Sequence, residues 1–212
     1  MMATNLLLLQ MVNYTFDAVL YATGRKPNTA NIGLENTDIT TNERGAIVVN
    51  DTCESSVPGV YAVGDVNGGP QFTYISLDDF RIVFGALTGN GQYTLKDRKN
   101  IPYTTFLTPP LARVGLTEED AINKGYTVKT KEMLVATMPR AHVNDYLKGA
   151  FKIVVNADND LILGATLYSQ GAEELINLIK MAMDNNIPYT YFKNQIFTHP
   201  TMAENLNDLC NF

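Results

Sequence analysis

Ala150-Phe-Lys-Ile-Val-Val-Asn156, Ala157-Asp-Asn-Asp160 and Leu161-Ile-Leu-Gly-Ala-Thr-Leu-Tyr168 together decide the architecture of this chain. Two runs rich in apolar and β-branched residues flank four residues of turn-forming type, which is the pattern of a β-hairpin. Downstream, Glu173–Met183 sets Leu175, Ile176, Leu178, Ile179, Ala182 and Met183 at helical spacing on one broad apolar face. Asn185, Asn186 and Pro188 stop that helix, and a last one is expected after His199-Pro200, holding Leu206 and Leu209. Upstream, Tyr103–Phe106 and Ala112–Leu116 are short strand candidates on either side of Thr108-Pro109-Pro110. Thr117-Glu-Glu-Asp120 has the spacing of a capping box, with Asp in the Glu/Gln position, and predicts a short helix ending at Gly125. Tyr126–Thr137 alternates loosely, as an edge strand does. Strands followed by helices predict an α+β module.

Thr88–Asn100 is polar, glycine-containing and aperiodic, and places a domain boundary near residue 100. Before it, Phe16–Ala22 reads as a buried strand ended by Thr23-Gly24, with a turn at Pro27 and Asn28. Ala46–Val49 and Gly59–Val63 are further short strand candidates, the second stopped by Gly64-Asp65. Ile75, Leu77, Phe80, Val83, Phe84 and Leu87 have helical spacing, with Asp78 and Asp79 expected in the first turn where the helix dipole favours acids. There is no internal repeat and no low-complexity segment.

At 212 residues, 45% hydrophobic and 18% charged, the composition is that of an ordinary globular protein. A formal net charge of −6 and the absence of any basic run argue against nucleic-acid and anionic-membrane partners. Met1–Val12 carries one short apolar run without a basic leader or a small-residue cleavage site, so a cytoplasmic protein is the expectation. Cys53 and Cys210 lack the close spacing of a redox or metal motif; with only two histidines in the chain, no metal site is expected. His142, in Met138-Pro-Arg-Ala-His142, has no acidic partner at useful spacing and reads as an exposed loop residue.

Three motifs remain. Ala22-Thr-Gly-Arg-Lys-Pro-Asn28 alone is an ordinary strand-to-turn junction, in which glycine frees the backbone and proline presets the turn. It is followed by Tyr61-Ala-Val-Gly-Asp65 and, near the C-terminus, by Phe197-Thr-His-Pro-Thr-Met-Ala-Glu-Asn205. The spacing of Thr201 and Glu204 also fits a helix-capping box, and His199 before proline also fits a turn. Taken together, Phe16–Thr29, Ser56–Val66 and the His199 segment resemble the FAD- and NAD(P)H-dependent pyridine nucleotide-disulfide oxidoreductases. Within them, Gln71–Val83, Thr108–Gly115 and His199–Leu209 look most like the bacterial reactive-chlorine-resistance flavoproteins and their mercuric reductase relatives.

The resemblance implies a homodimer with FAD, NAD(P)H and a dithiol relay. It implies a partial NAD(P)H- and FAD-binding region over residues 1–99, the carboxyl-terminal remnants of two α/β domains. Residues 100–212 would be a dimerisation domain of antiparallel sheet and helices. It implies cofactor contacts at Gly24, Arg25, Gly64, Asp65, Phe72, Thr73 and Tyr74, with Asp65 accepting from ribityl hydroxyls and the following helix turning its positive end to the flavin. It also makes His199 the acid/base toward a cysteine pair and Glu204 its orienting carboxylate, which fixes the tautomer and raises the basicity of the distal nitrogen. The sequence departs from the family in containing neither Gly-x-Gly-x-x-Gly nor Cys-x4-Cys. The expectation is therefore the C-terminal half of an oxidoreductase, holding neither cofactor stably by itself. The alternative is a non-catalytic homodimerisation module, inactive as the isolated chain.

Overall fold

The computed structural model describes residues 17–212. A five-stranded antiparallel sheet has the order β1-β2-β5-β4-β3, with β1 Tyr103–Thr105, β2 Leu111–Gly115, β3 Val128–Leu134, β4 Ala150–Asn156 and β5 Ile162–Tyr168. The predicted hairpin is its centre: Ile153 lies opposite Ala165, and the register shifts between Val154 and Val155. On one side β5 pairs with β2, Leu167 opposite Ala112; on the other β4 pairs with β3, Val154 opposite Thr130. Because side chains alternate across a strand, one face gathers Ala112, Val114, Phe151, Ile153, Val155, Ala165 and Leu167, all buried.

The helices among the described residues are, in chain order, α1 Thr73–Thr88, α2 Glu118–Asn123, α3 Pro139–Val143, α4 Ala172–Asp184, α5 Tyr189–Asn194 and α6 Asn205–Leu209, and α4 and α6 supply the main cover of that face. The buried stripe of α4, which includes Leu175, Ile176, Ile179 and Ala182, lies against β5 and β2. The short α6 buries Leu206 and Leu209 and packs against β3, β4 and α5. The sequence pattern did not reveal α3 or α5, since a helix of five or six residues is too short for periodicity to declare it. His142 accordingly sits on α3 rather than in a loop, and the local signal for that helix is Pro139 at its first position.

The region before residue 100 departs further from expectation. Phe16 lies outside the described residues, and residues 17–25 form no strand. Val19, Leu20 and Tyr21 are instead 69%, 90% and 84% exposed. An apolar run becomes a strand only beside a neighbour that takes up its N–H and C=O groups, and none of the described residues does so. The expected strands around residues 46–49 and 59–63 contract to single bridges, Thr41 to Ile47 and Glu54 to Tyr61. Helix α1 forms, but it starts at Thr73, so Asp78 and Asp79 fall in its second turn. Its buried residues are Ile75, Asp79 and Ile82, whereas Leu77, Phe80, Phe84 and Leu87 face outward. Among the described residues no helix is long and apolar enough to cross a membrane.

Candidate functional site

Gly64 and Asp65 open a short 3-10 turn, Gly64–Asn67, that leads toward α1. Gly64 has φ 74°, and a Cβ built there would lie 2.6 Å from Ser76 Oγ, so glycine is required for the turn to pack on α1. The close approach is thus made by this chain's own helix. Asp65 is exposed, and its carboxylate bonds no other described group. At the start of α1, Phe72 N donates to Pro70 O and Ile75 N to Phe72 O, while the amides of Thr73 and Tyr74 bond no other described group. The Phe72 ring stacks on Tyr103 of β1 at 5.9 Å, joining α1 to the sheet. These residues fit one edge of a flavin, with an acceptor for hydroxyls and open donors at a helix N-terminus.

A buried charge network holds this turn, and the sequence reading missed it. Asp79 Oδ2 accepts from Gly64 N at 2.7 Å and from Asn67 Nδ2 at 2.9 Å. Its Oδ1 meets the Arg98 guanidinium, whose Nε also donates to Asp78 Oδ2 at 2.7 Å. Burial opposes the charge on Arg98, but its hydrogen bonds to the two carboxylates prevail and its pKa is raised. The available signal was positional: Asp79 stands four residues after Ile75 and three before Ile82, in the middle of the face that α1 buries.

His199 lies on the connection between α5 and α6, and Glu204 is the residue before α6. His199 Nδ1 stands 2.8 Å from Glu204 Oε2. An N–H at Nδ1 donates to the carboxylate and leaves Nε2 as the ring's acceptor, on a side chain 71% exposed. Half of the alternative capping box is present, since Thr201 Oγ1 accepts from Glu204 N at 3.2 Å. The carboxylate of Glu204 goes to the imidazole, and its Oε1 is buried with no described partner.

The remaining candidates stand apart. Gly24 has φ 99° in the exposed stretch before Pro27, and Arg25 makes no ion pair with a described residue. No hydrogen bond or ion pair joins Gly24 and Arg25, the Gly64–Asp65 turn and the His199–Glu204 pair to one another. Both cysteines are free and buried. Burial, and then the nearby Asp79, push the Cys53 thiol up to about 11. Burial pushes Cys210 up to about 12 against the pull of Lys131. Both are thiols at neutral pH, and thiolates are the reactive form. His142 Nε2 lies 2.8 Å from Ala136 O, and no carboxylate meets it. No cluster of three or more metal-ligating side chains occurs among the described residues.

Comparison with protein families matches residues 101–210 to the pyridine nucleotide-disulphide oxidoreductase dimerisation domain and residues 4–79 to the pyridine nucleotide-disulphide oxidoreductase domain. The chain is 49% identical to the probable pyridine nucleotide-disulfide oxidoreductase RclA of Escherichia coli, covering 91% of this chain and 44% of that protein. It is 37% identical to a mercuric reductase of Staphylococcus aureus, covering 90% and 35% respectively. Among solved structures, the HOCl-induced flavoprotein disulfide reductase RclA from Escherichia coli superposes with a TM-score of 0.86 at 48% identity, over 89% of this chain and 43% of that one. The chain therefore spans less than half the length of the relatives it matches. On its fold, its matched domains and these relatives, the chain belongs to the pyridine nucleotide-disulphide oxidoreductase family.

Proposed function

We propose that this chain supplies the C-terminal half of a cytoplasmic, FAD-dependent NAD(P)H:disulfide oxidoreductase, with a metal ion or an oxidant as the other candidate electron acceptors. Residues 100–212 would form the homodimer interface, and the exposed Leu178 and Met181 on the outer side of α4 offer apolar surface for it. Asp65 and the first turn of α1 would hold one edge of FAD, which when bound accepts hydride from NAD(P)H and passes electrons to a dithiol. Gly24 and Arg25 would lie on the pyridine-nucleotide side. His199 would take a proton from a thiol at Nε2 and return it, with Glu204 fixing the tautomer and balancing the imidazolium. The single observation that carries this reading is the 2.8 Å contact between His199 Nδ1 and Glu204 Oε2 beside an exposed ring.

A chimera tests it. This chain replaces the matching C-terminal portion of the Escherichia coli relative, and NAD(P)H oxidation is followed with a disulfide acceptor. In the chimera, His199→Gln should lower kcat/KM about 10²- to 10⁴-fold while flavin content stays unchanged. Equal rates for the two would overturn the acid/base role.

The second reading, a non-catalytic homodimerisation module, is favoured by one observation: both cysteines are buried, and far apart in sequence. A colourless chain that sediments as a dimer supports it. A yellow chain that oxidises NAD(P)H at an enzymatic rate rules it out.

A further inference from the structure

The loop bearing His199 leaves α5 and enters α6, and α6 reaches back to both of its ends. Asn207 Nδ2 lies 2.6 Å from Phe192 O, 2.9 Å from Gln195 O and 3.3 Å from Lys193 O. These carbonyls belong to the last turn of α5 and the residue after it, where backbone donors run out; Phe192 O also accepts from Gln195 N at 3.3 Å. The buried Asn205 donates to Thr201 O at 3.2 Å and to Met202 O at 3.0 Å, at the outgoing end of the loop. Two positions apart on a helix, these asparagines point about 200° away from each other, so each serves one end. The helix they stand on is itself fixed. Leu206 and Leu209 are fully buried, and Lys131 of β3 donates to Asp208 O and Asn211 O at 2.7 and 2.6 Å.

Glu204 abuts α6, so α6 sets its place. His199 is largely exposed, so packing does not hold its ring; the backbone of the loop does. The separation of the two depends on the Thr201 hydroxyl, which donates to Thr198 O at 2.7 Å and accepts from Glu204 N at 3.2 Å, and on how firmly the incoming end of the loop is tied to α6. We propose that Asn207 is a positioning residue, closing residues 195–204 onto α6 and thereby keeping the His199 imidazole at hydrogen-bond distance from Glu204. The consequence for proton transfer rests on His199 being the acid/base; the positioning itself does not. A carboxamide suits this task because it offers two N–H donors to several carbonyls at once.

The chain has two histidines, so nitrogen-resolved imidazole spectra of the isolated protein contain two rings, with His142 as an internal control. In the parent, His199 should show the Nδ1-protonated tautomer. Asn207→Leu keeps the size of the side chain and removes its donors. It should lose that signature toward a free-imidazole mixture while the His142 signals hold and the protein stays folded, a change that a purely structural role would not produce. Retention of the His199 signature in a folded Asn207→Leu protein overturns the proposal.

Should that variant fail to fold, the parent decides. Asn207 Nδ2 protons that exchange with solvent far more slowly than free carboxamides support the clasp, and exchange at the free rate overturns it. A parent that lacks the Nδ1 signature although Asn207 is protected overturns the His199–Glu204 reading and the proposal with it. A parent that has the signature, and loses it in Glu204→Gln with Asn207 still protected, keeps both.

Discussion

Residues 101–210 and residues 17–99 are held together by different physics. The first region closes a continuous apolar core between one face of an antiparallel sheet and the helices laid over it, from Ala112 to Cys210. In the second the buried apolar residues are Ala46, Ile47, Cys53, Ala62, Ile75 and Ile82, while α1 turns Leu77, Phe80, Phe84 and Leu87 outward. Its fixed point is polar: Asp79 gathers Gly64, Asn67 and Arg98. An antiparallel sheet built from neighbouring strands completes its own hydrogen bonds locally. A strand such as the one expected over Phe16–Ala22 depends on neighbours that the described residues do not supply.

The two regions should differ most when each loses an aromatic ring. Phe151→Ala removes a fully buried ring from the centre of the sheet and should cost about 3–5 kcal/mol. Phe84→Ala, at a position 57% exposed, should cost less than about 0.5 kcal/mol. Chemical denaturation of the two variants checks this, and equal losses would mean that the outward face of α1 is covered in solution.

Asp79→Asn asks whether the polar network organises the first region. It leaves the half-buried Arg98 with Asp78 alone and weakens the acceptor for Gly64 N, at a cost of about 2–3 kcal/mol. Hydrogen exchange should quicken for the amides of residues 62–88 and stay unchanged in β4 and β5. Uniform quickening across both regions would show that they unfold as one unit.

How far the sequence could be read follows the same division. The bounds of β4 matched the expected Ala150–Asn156, and the α4 stripe was recognisable because Leu175, Ile176, Ile179 and Ala182 answer to one apolar neighbour, the sheet, although Leu178, expected on the same face, is exposed. The capping box at Thr117 was visible because its partners are three residues apart: Thr117 Oγ1 accepts from Asp120 N at 2.9 Å, and Asp120 Oδ2 accepts from Thr117 N at 3.2 Å. Asp79 was misread because its partners, Gly64 and Arg98, are 15 and 19 residues away, and no local pattern announces a buried ion pair. The outward face of α1 was misread because periodicity finds an apolar stripe without showing what covers it. Of the candidate site, the contact between His199 and Glu204 was foreseeable only through the resemblance of their segment to the family. The asparagines that tether their loop were not, since each meets backbone carbonyls and any residue supplies those.

A smaller effect tests the sheet region at its edge. Thr117→Ala deletes the hydroxyl that caps α2 and should cost about 1 kcal/mol, read as a lower melting temperature with the sheet spectrum intact. A loss of several kcal/mol would mean that α2, which is tied to β4 through Glu118 and Lys152 at 2.6 Å, is part of the sheet's own closure.

The cysteines compare the two regions within one titration, because Cys53 belongs to the first and Cys210 to the second. Both thiols are raised from 9.0, to about 11 and about 12, chiefly by burial. A raised thiol pKa means that the unfolded chain gives up its proton first as pH climbs. The native state then binds more protons than the unfolded state, and stability falls with rising pH. The contribution is complete below pH 9 and is lost from there upward through the folded values. Cys53→Ala and Cys210→Ala should each flatten the alkaline limb of the stability curve, Cys210→Ala to the higher pH because its thiol is raised further. Asp79 adds to the shift at Cys53, whereas Lys131 opposes it at Cys210. Asp79→Asn should therefore draw the Cys53 titration down toward 9 and leave that of Cys210 in place. Movement of both thiols together would show that the network around Asp79 and the sheet core are one cooperative structure.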